Sequence, residues 1–272
     1  DLCISSDEEF LFSTSHDSTL SVYSFREKRI LRSMRISHLA LSSCCTPSNF
    51  QAFPFCMIGS WDNNVYVFNA KQNKVEQVLK SHNDAISCLA PTDNGLSSGS
   101  WDSTIKIWQY RGNQGMESKP VLSYRIDCEV RCMANCFVQP SILVNGDENG
   151  NIYMFDTRSN SKKYMRLWAK AHKDEVNSIT WLPHKMEFVS CSSDYYMKHW
   201  DSANGKLISQ TSTRESVQSV HSDGKLIICG GELGTLRLFK LQQQQPQMVE
   251  TIQHSLKLSS ADSISKVAIT NN

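Results

Sequence analysis

Two copies of Gly-Ser-Trp-Asp, at Gly59 to Asp62 and Gly99 to Asp102, place a carboxylate in nearly the same surroundings twice. Upstream of the second copy lies His82, with Ser98 between, and His172, Ser190 and Asp194 follow in the same order. Ser, His and Asp are the residue types of an acyl-transfer relay, in which the imidazole takes the hydroxyl proton and the carboxylate orients the imidazole. That chemistry also needs an exposed nucleophile, and the chain contains no Gly-x-Ser-x-Gly elbow to present one. No catalytic residue is expected.

Other reactive groupings are weaker still. Cys128, Cys132 and Cys136 are spaced by four, not in the Cys-x2-Cys pairs of zinc or iron–sulfur sites, and read as core thiols on one face of a strand. Asp147, Asn149 and Asn151 begin like a calcium loop, but Ile152 and Arg158 stand where Gly and Glu are required, so a β-turn is expected. No Gly-x-Gly-x-x-Gly or phosphate-binding loop occurs. Neither metal nor cofactor is predicted.

Composition narrows the partners. With 28 Lys+Arg against 27 Asp+Glu in 272 residues, no basic excess points to nucleic acid. No apolar run of 18 residues and no signal peptide is present, so no direct membrane insertion is expected. The first residue is not Met, and the chain is expected to be part of a longer one. Ten cysteines at irregular places, mostly inside apolar segments, suggest thiols in a reducing compartment.

What positions these residues is a repeat. Six segments align on an aromatic that follows a turn: Tyr23, Phe68, Trp108, Phe155, Trp200 and Phe239, spaced by 45, 40, 47, 45 and 39 residues. A period near 43 fits four-stranded propeller blades. Six residues before each aromatic stand Asp17, Asp62, Asp102, Asn149, Asp194 and Leu233, turn formers in all but the last. Strand segments such as "NVYVFN" are apolar on both faces, as in sheets covered on both sides.

These turns, upstream histidines and aromatics resemble those of WD40 repeat proteins over nearly the whole chain. The resemblance implies an all-β, seven-bladed WD40 β-propeller as a single domain. The six complete blades cover about 1–36, 37–80, 81–126, 127–170, 171–213 and 214–253, with a truncated seventh at 254–272. It further implies buried tetrads of His82, Ser98, Asp102 and Trp108 in blade three and of His172, Ser190, Asp194 and Trp200 in blade five. Between the last two strands of blade six, "LQQQQPQ" from Leu241 to Gln247 reads as a flexible loop.

In such propellers the residue before the turn Asp lies on the top face around the central channel. Here those are His16, Trp61, Trp101, Glu148, Ser193 and Glu232, and partner binding is expected there, above all at the two tryptophans. A closer resemblance, carried by "LFSTSHDSTLSVYSFREKRILRSMRISHLALSSC", "SWDNNVYVFN" and "GSWDSTIKIW", is to the C-terminal propellers of BEACH-domain scaffolds. That implies a non-catalytic protein–protein interaction scaffold in receptor signalling or membrane traffic, docking to a tumour necrosis factor receptor cytoplasmic tail. It also implies a cytoplasmic place, membrane-peripheral through the rest of the protein. The alternative is a propeller-fold enzyme or small-ligand binder, which would need convergent carboxylates, histidines or metal ligands in the central channel.

Overall fold

Alternating β-branched and aromatic residues broken by short Asp- or Gly-bearing turns fold as successive antiparallel hairpins. The computed structural model describes residues 1–5, 7–45, 55–111, 115–159, 161, 163–242, 245–253 and 267. Its strands form six four-stranded antiparallel sheets, each strand pairing with the next in sequence. In the first, β1–β4 are Leu2–Ile4, Phe10–Thr14, Thr19–Ser24 and Arg29–Arg35; in the second, β5–β8 are Leu41–Cys45, Phe55–Ser60, Asn64–Asn69 and Lys74–Lys80. The third has β9–β12 at Ile86–Thr92, Gly95–Ser100, Thr104–Gln109 and Leu122–Arg125; the fourth has β13–β16 at Val130–Asn135, Ile142–Asp147, Ile152–Asp156 and Arg166–Trp168. The fifth has β17–β20 at Val176–Trp181, Glu187–Ser192, Tyr196–Asp201 and Lys206–Ser212; the sixth has β21–β24 at Val217–Ser222, Leu226–Gly231, Thr235–Gln242 and Gln245–Gln253.

The fold is of the all-β propeller class, with six blades among the described residues, which corrects the expectation of seven with the last truncated. Strand β24 completes the sixth sheet, and apart from Val267 the segment 254–272 lies outside the described residues. The Gln-rich stretch is also corrected. Leu241 pairs with Pro246 and Gln242 with Gln245, so most of the expected loop belongs to a tight hairpin. Proline is tolerated there because β24 is an edge strand of its sheet, with a ladder on one side alone.

The chain divides into two compact units: Asp1–Val130 with Thr157–Lys163, and Arg131–Asp156 with Tyr164–Asn272. In the first unit Met57, Val65, Ile86, Leu96 and Trp108 fill the space between the second and third sheets. In the second, Val144, Val176, Trp181, Phe188 and Trp200 do the same between the fourth and fifth. Two glycines show how closely the blades approach: a Cβ on Gly59 would stand 2.6 Å from Ile86 Cγ2, and one on Gly146 would stand 2.5 Å from Val176 Cβ. Cys132 donates to the Val176 carbonyl at 3.1 Å and Cys136 contacts Met186 Sδ at 3.6 Å, both as buried thiols. Cys128 precedes β13 and only Cys132 lies on that strand, so the expected stripe on one strand face does not form.

All six turns between second and third strands bend the same way. The residue after each turn acid or its counterpart is left-handed: Ser18, Asn63, Ser103, Gly150, Tyr195 and Gly234 have φ between 63° and 80°. Gly accepts this conformation without a clash, whereas a bulky aromatic does not. Tyr195, at φ 67° and 54% exposed, is the strained member. Replacing it with Gly is expected to raise stability by about 0.5–1 kcal/mol, the relief outweighing the extra freedom of the unfolded chain. A lower unfolding midpoint in Tyr195→Gly would mean that the ring makes contacts outweighing its strain.

Candidate interaction site

The groups that could have formed a hydrolytic relay are sealed inside the blades. In the third sheet the Trp108 indole donates to Ser98 Oγ at 2.9 Å, Ser98 Oγ lies 2.8 Å from His82 Nε2, and His82 Nδ1 lies 2.9 Å from Asp102 Oδ2. The fifth sheet repeats the chain through Trp200, Ser190, His172 and Asp194 at 2.9, 2.8 and 3.0 Å. Each proton has one place to go: the indole N–H to the hydroxyl, the hydroxyl to Nε2, and the imidazole N–H to the carboxylate. Burial lowers the pKa of both histidines despite the neighbouring acids, so the neutral tautomer fits. Ser98 and Ser190 are fully buried, and no substrate could reach either hydroxyl.

The acids also hold their turns. Asp102 accepts the amides of Asn83 and Thr104, each at 2.9 Å, and Asp194 accepts those of Lys173 and Tyr196, each at 3.0 Å. Burial alone would raise the Asp194 carboxyl, but the hydrogen bonds from His172 and these amides outweigh it and hold it at about 2. Asp17 and Asp62 serve more locally, on Thr19 and on Asn64 with the Tyr66 hydroxyl. In the fourth sheet Asp147, two residues before Asn149, accepts from the Asn151 amide and side chain, each at 2.8 Å, closing the calcium-like stretch on itself.

Two features of these clamps are not evident in the sequence repeat. The sixth sheet carries Leu233 at the acid position, and Glu215 takes over from the connection before β21. Its buried carboxylate accepts the Leu233 amide at 2.9 Å, the Thr235 hydroxyl and the Arg237 guanidinium. The second feature is a polar hook four residues after each turn acid or its counterpart. In order these are Ser21 to Ser33, Tyr66 to Asp62, Lys106 to Ser81, Tyr153 to Asp147, Lys198 to the Ala171 carbonyl and Arg237 to Glu215.

The positions preceding the turn acids are different in kind. In the first unit they come together as an arc of rings: His16 and Trp61 have centroids 5.0 Å apart, and Trp61 and Trp101 are 5.5 Å apart, tilted by 59° and 49°. Main-chain bonds fix the tryptophans, Trp61 N to the Ala40 carbonyl at 2.9 Å and Trp101 N to that of Ala85 at 3.0 Å. His16 is exposed, Trp61 is 39% exposed and Trp101 is half-buried. In the second unit the equivalent residues are polar. Ser193 accepts from Asn177 Nδ2 at 2.9 Å and donates to Glu175 Oε1 at 3.2 Å, and Glu175 in turn pairs with Arg131. Glu148 and Glu232 are exposed. Among the described residues no three His, Cys, Asp or Glu side chains cluster so as to hold a metal ion.

Known proteins share the repeat. The family model for the WD domain, G-beta repeat, matches residues 1–24, 73–109 and 163–201. The second and third matches each run from an outer strand through the third strand of the next sheet, and each contains one complete relay. An all-β propeller of WD40 repeats is what these matches and the six sheets support together.

The chain is 25% identical over 232 residues to the ribosome biogenesis protein WDR12 homolog of Drosophila mojavensis, covering 78% of this chain and 53% of that protein. The homolog of Drosophila virilis matches with the same identity and coverage. Transducin-like enhancer protein 2 of Mus musculus is 24% identical over 173 residues, covering 62% of this chain and 21% of that protein. The chain thus spans about half the length of the WDR12 homologs.

These relatives bear on two expectations. Affinity with BEACH-domain scaffolds, and with it a tumour necrosis factor receptor tail as partner, has no support among them. The cytoplasmic, membrane-peripheral placement is overturned as well, because ribosome biogenesis, the task in the relatives' names, belongs to the nucleus and nucleolus.

Proposed function

We propose that this chain is a non-catalytic docking module of a larger assembly, and that His16, Trp61 and Trp101 are the contact surface of its first unit. The observation that carries this reading is the arc itself: three rings from successive blades, Trp61 touching both His16 and Trp101 and open to solvent. Nothing in the repeat requires them, since Glu148, Ser193 and Glu232 fill the same place in the other blades. Large aromatics with a polar edge supply much contact area at low conformational cost, which is why Trp is enriched at binding hot spots. Ser193, Glu148 and Glu232 form a polar counterpart in the second unit.

The setting is taken from relatives named for ribosome biogenesis, so the partners are other proteins of such an assembly. An enzymatic role finds no footing, because the Ser-His-Asp groupings are consumed by buried clamps. Trp61→Ala combined with Trp101→Ala is expected to reduce recovery of co-purifying partners at least about tenfold while leaving the melting temperature within a few degrees. Undiminished recovery by a folded double variant would discard the arc as the docking surface.

A further inference from the structure

Resting on that reading, the charges around the arc say what kind of partner fits it. The six connections on this edge of the first unit are 15–18, 36–40, 61–63, 81–85, 101–103 and 126–129. They lie together through the bonds Trp61 N to Ala40 O, Trp101 N to Ala85 O and Ile126 N to Ser103 O. Asp17, Asp62, Asp84, Asp102, Asp127 and Glu129 all fall within them, and no Lys or Arg does. The nearest cations in sequence, Arg35, Lys80 and Arg125, end the outer strands β4, β8 and β12. His82 is held neutral by burial, so the cation that partly offsets Asp102 is the Lys106 ammonium, bonded to Ser81.

This sign is local. Connections on the opposite edge of the same unit contain Arg26, Lys28, Lys71 and Lys119, mixed with acids. The corresponding connections of the second unit contain Lys170, Lys173 and Arg214 among the acids Glu148, Asp174, Glu175, Asp194, Glu215 and Glu232. An anionic rim around electron-rich ring faces attracts cations by two additive routes, Coulombic steering and the cation–π contact, and repels phosphate. Arginine suits both, being planar, always charged and weakly hydrated. The chain uses this contact internally, where the Arg166 guanidinium lies 5.6 Å from the Trp168 ring centroid.

We propose that the arc of His16, Trp61 and Trp101 docks an extended arginine- and lysine-rich segment of a partner protein. Partner cations lie over the tryptophan faces, and the surrounding carboxylates set the approach and the salt dependence.

The test uses the whole protein and fluorescence anisotropy of four labelled probes: an Arg/Lys-rich peptide, neutral and acidic peptides of the same length, and a single-stranded RNA. The basic peptide is expected to bind best and to weaken as salt rises. Asp84→Lys with Asp127→Lys, both exposed, should reduce its affinity at least about tenfold, as should the double tryptophan variant. Equal or better binding of the neutral peptide, the acidic peptide or the RNA, or unchanged binding after charge reversal, overturns the basic occupant. If a non-basic peptide binds and the tryptophan variant abolishes it, the docking surface stands and only its occupant is wrong. If no binding depends on the tryptophans, both readings fall.

Discussion

Glu215→Ala is expected to destabilise the second unit by about 3–5 kcal/mol, the largest single-residue effect in the molecule. The Glu215 side chain is buried, 3% exposed, and that of Arg237 is largely covered, 12% exposed. Removing the acid leaves a guanidinium in a poorly hydrated place without its counter-charge, and removes the acceptor for the Leu233 amide and the Thr235 hydroxyl. Breaking one side of such a pair costs far more than replacing both sides, so Glu215→Leu with Arg237→Leu should cost less than Glu215→Ala alone. Gly231 makes room for the carboxylate, since a Cβ there would lie 2.3 Å from Glu215 Cδ, and Gly231→Ala should approach the same loss. Chemical denaturation of the three variants separates the outcomes: a Glu215→Ala loss below about 1 kcal/mol would show the clamp to be dispensable.

Asp102→Ala should cost about 2–3 kcal/mol, because His82 Nδ1 and the amides of Asn83 and Thr104 all lose their acceptor. The same groups set the acid response. Burial would raise the carboxyls of Asp102 and Asp194, yet the hydrogen bonds from their histidines and turn amides hold both below the ordinary carboxylate value, Asp194 at about 2. Burial holds His82 and His172 below the ordinary imidazole value. All four folded-state pKa values are therefore depressed, so the unfolded chain binds protons first as pH falls. Stability should be full above about pH 6.5, decline as the unfolded histidines charge, and decline further below about pH 4 as the unfolded acids protonate. In Asp102→Ala the step below pH 4 should be smaller than in the parent. Identical pH profiles of the melting temperature would remove Asp102 from the account.

The two relays were legible in the chain because their members recur at nearly fixed offsets as polar residues within apolar strands, a pattern that makes sense only if the groups satisfy one another. Glu215 was hidden because it reaches the turn through space from another connection. A trace existed in Thr235 and Arg237, two donors on one face of a strand whose turn had lost its acid. The hook is hidden for the opposite reason: its position is constant while its residue type changes from Ser to Tyr, Lys and Arg. The Gln-rich hairpin looked like a loop by composition, but strand pairing needs only main-chain groups, and tertiary context outweighs propensity there. The resemblance implies a seventh blade beyond Gln253, whereas the described strands form six sheets.

The changing hook has a consequence for how so repetitive a chain reaches one structure. Near-identical modules invite strands to dock in a neighbour's place, the characteristic failure of repeat proteins. Successive blades never use the same hook and acceptor: a hydroxyl pair, a phenol on a carboxylate, an ammonium on Ser81, a phenol again, an ammonium on a carbonyl and a guanidinium on Glu215. A third strand exchanged with the next blade would bring a polar head group to a site with no matching counterpart. The variation that obscures the repeat thus works as an address, telling each hairpin which blade it belongs to.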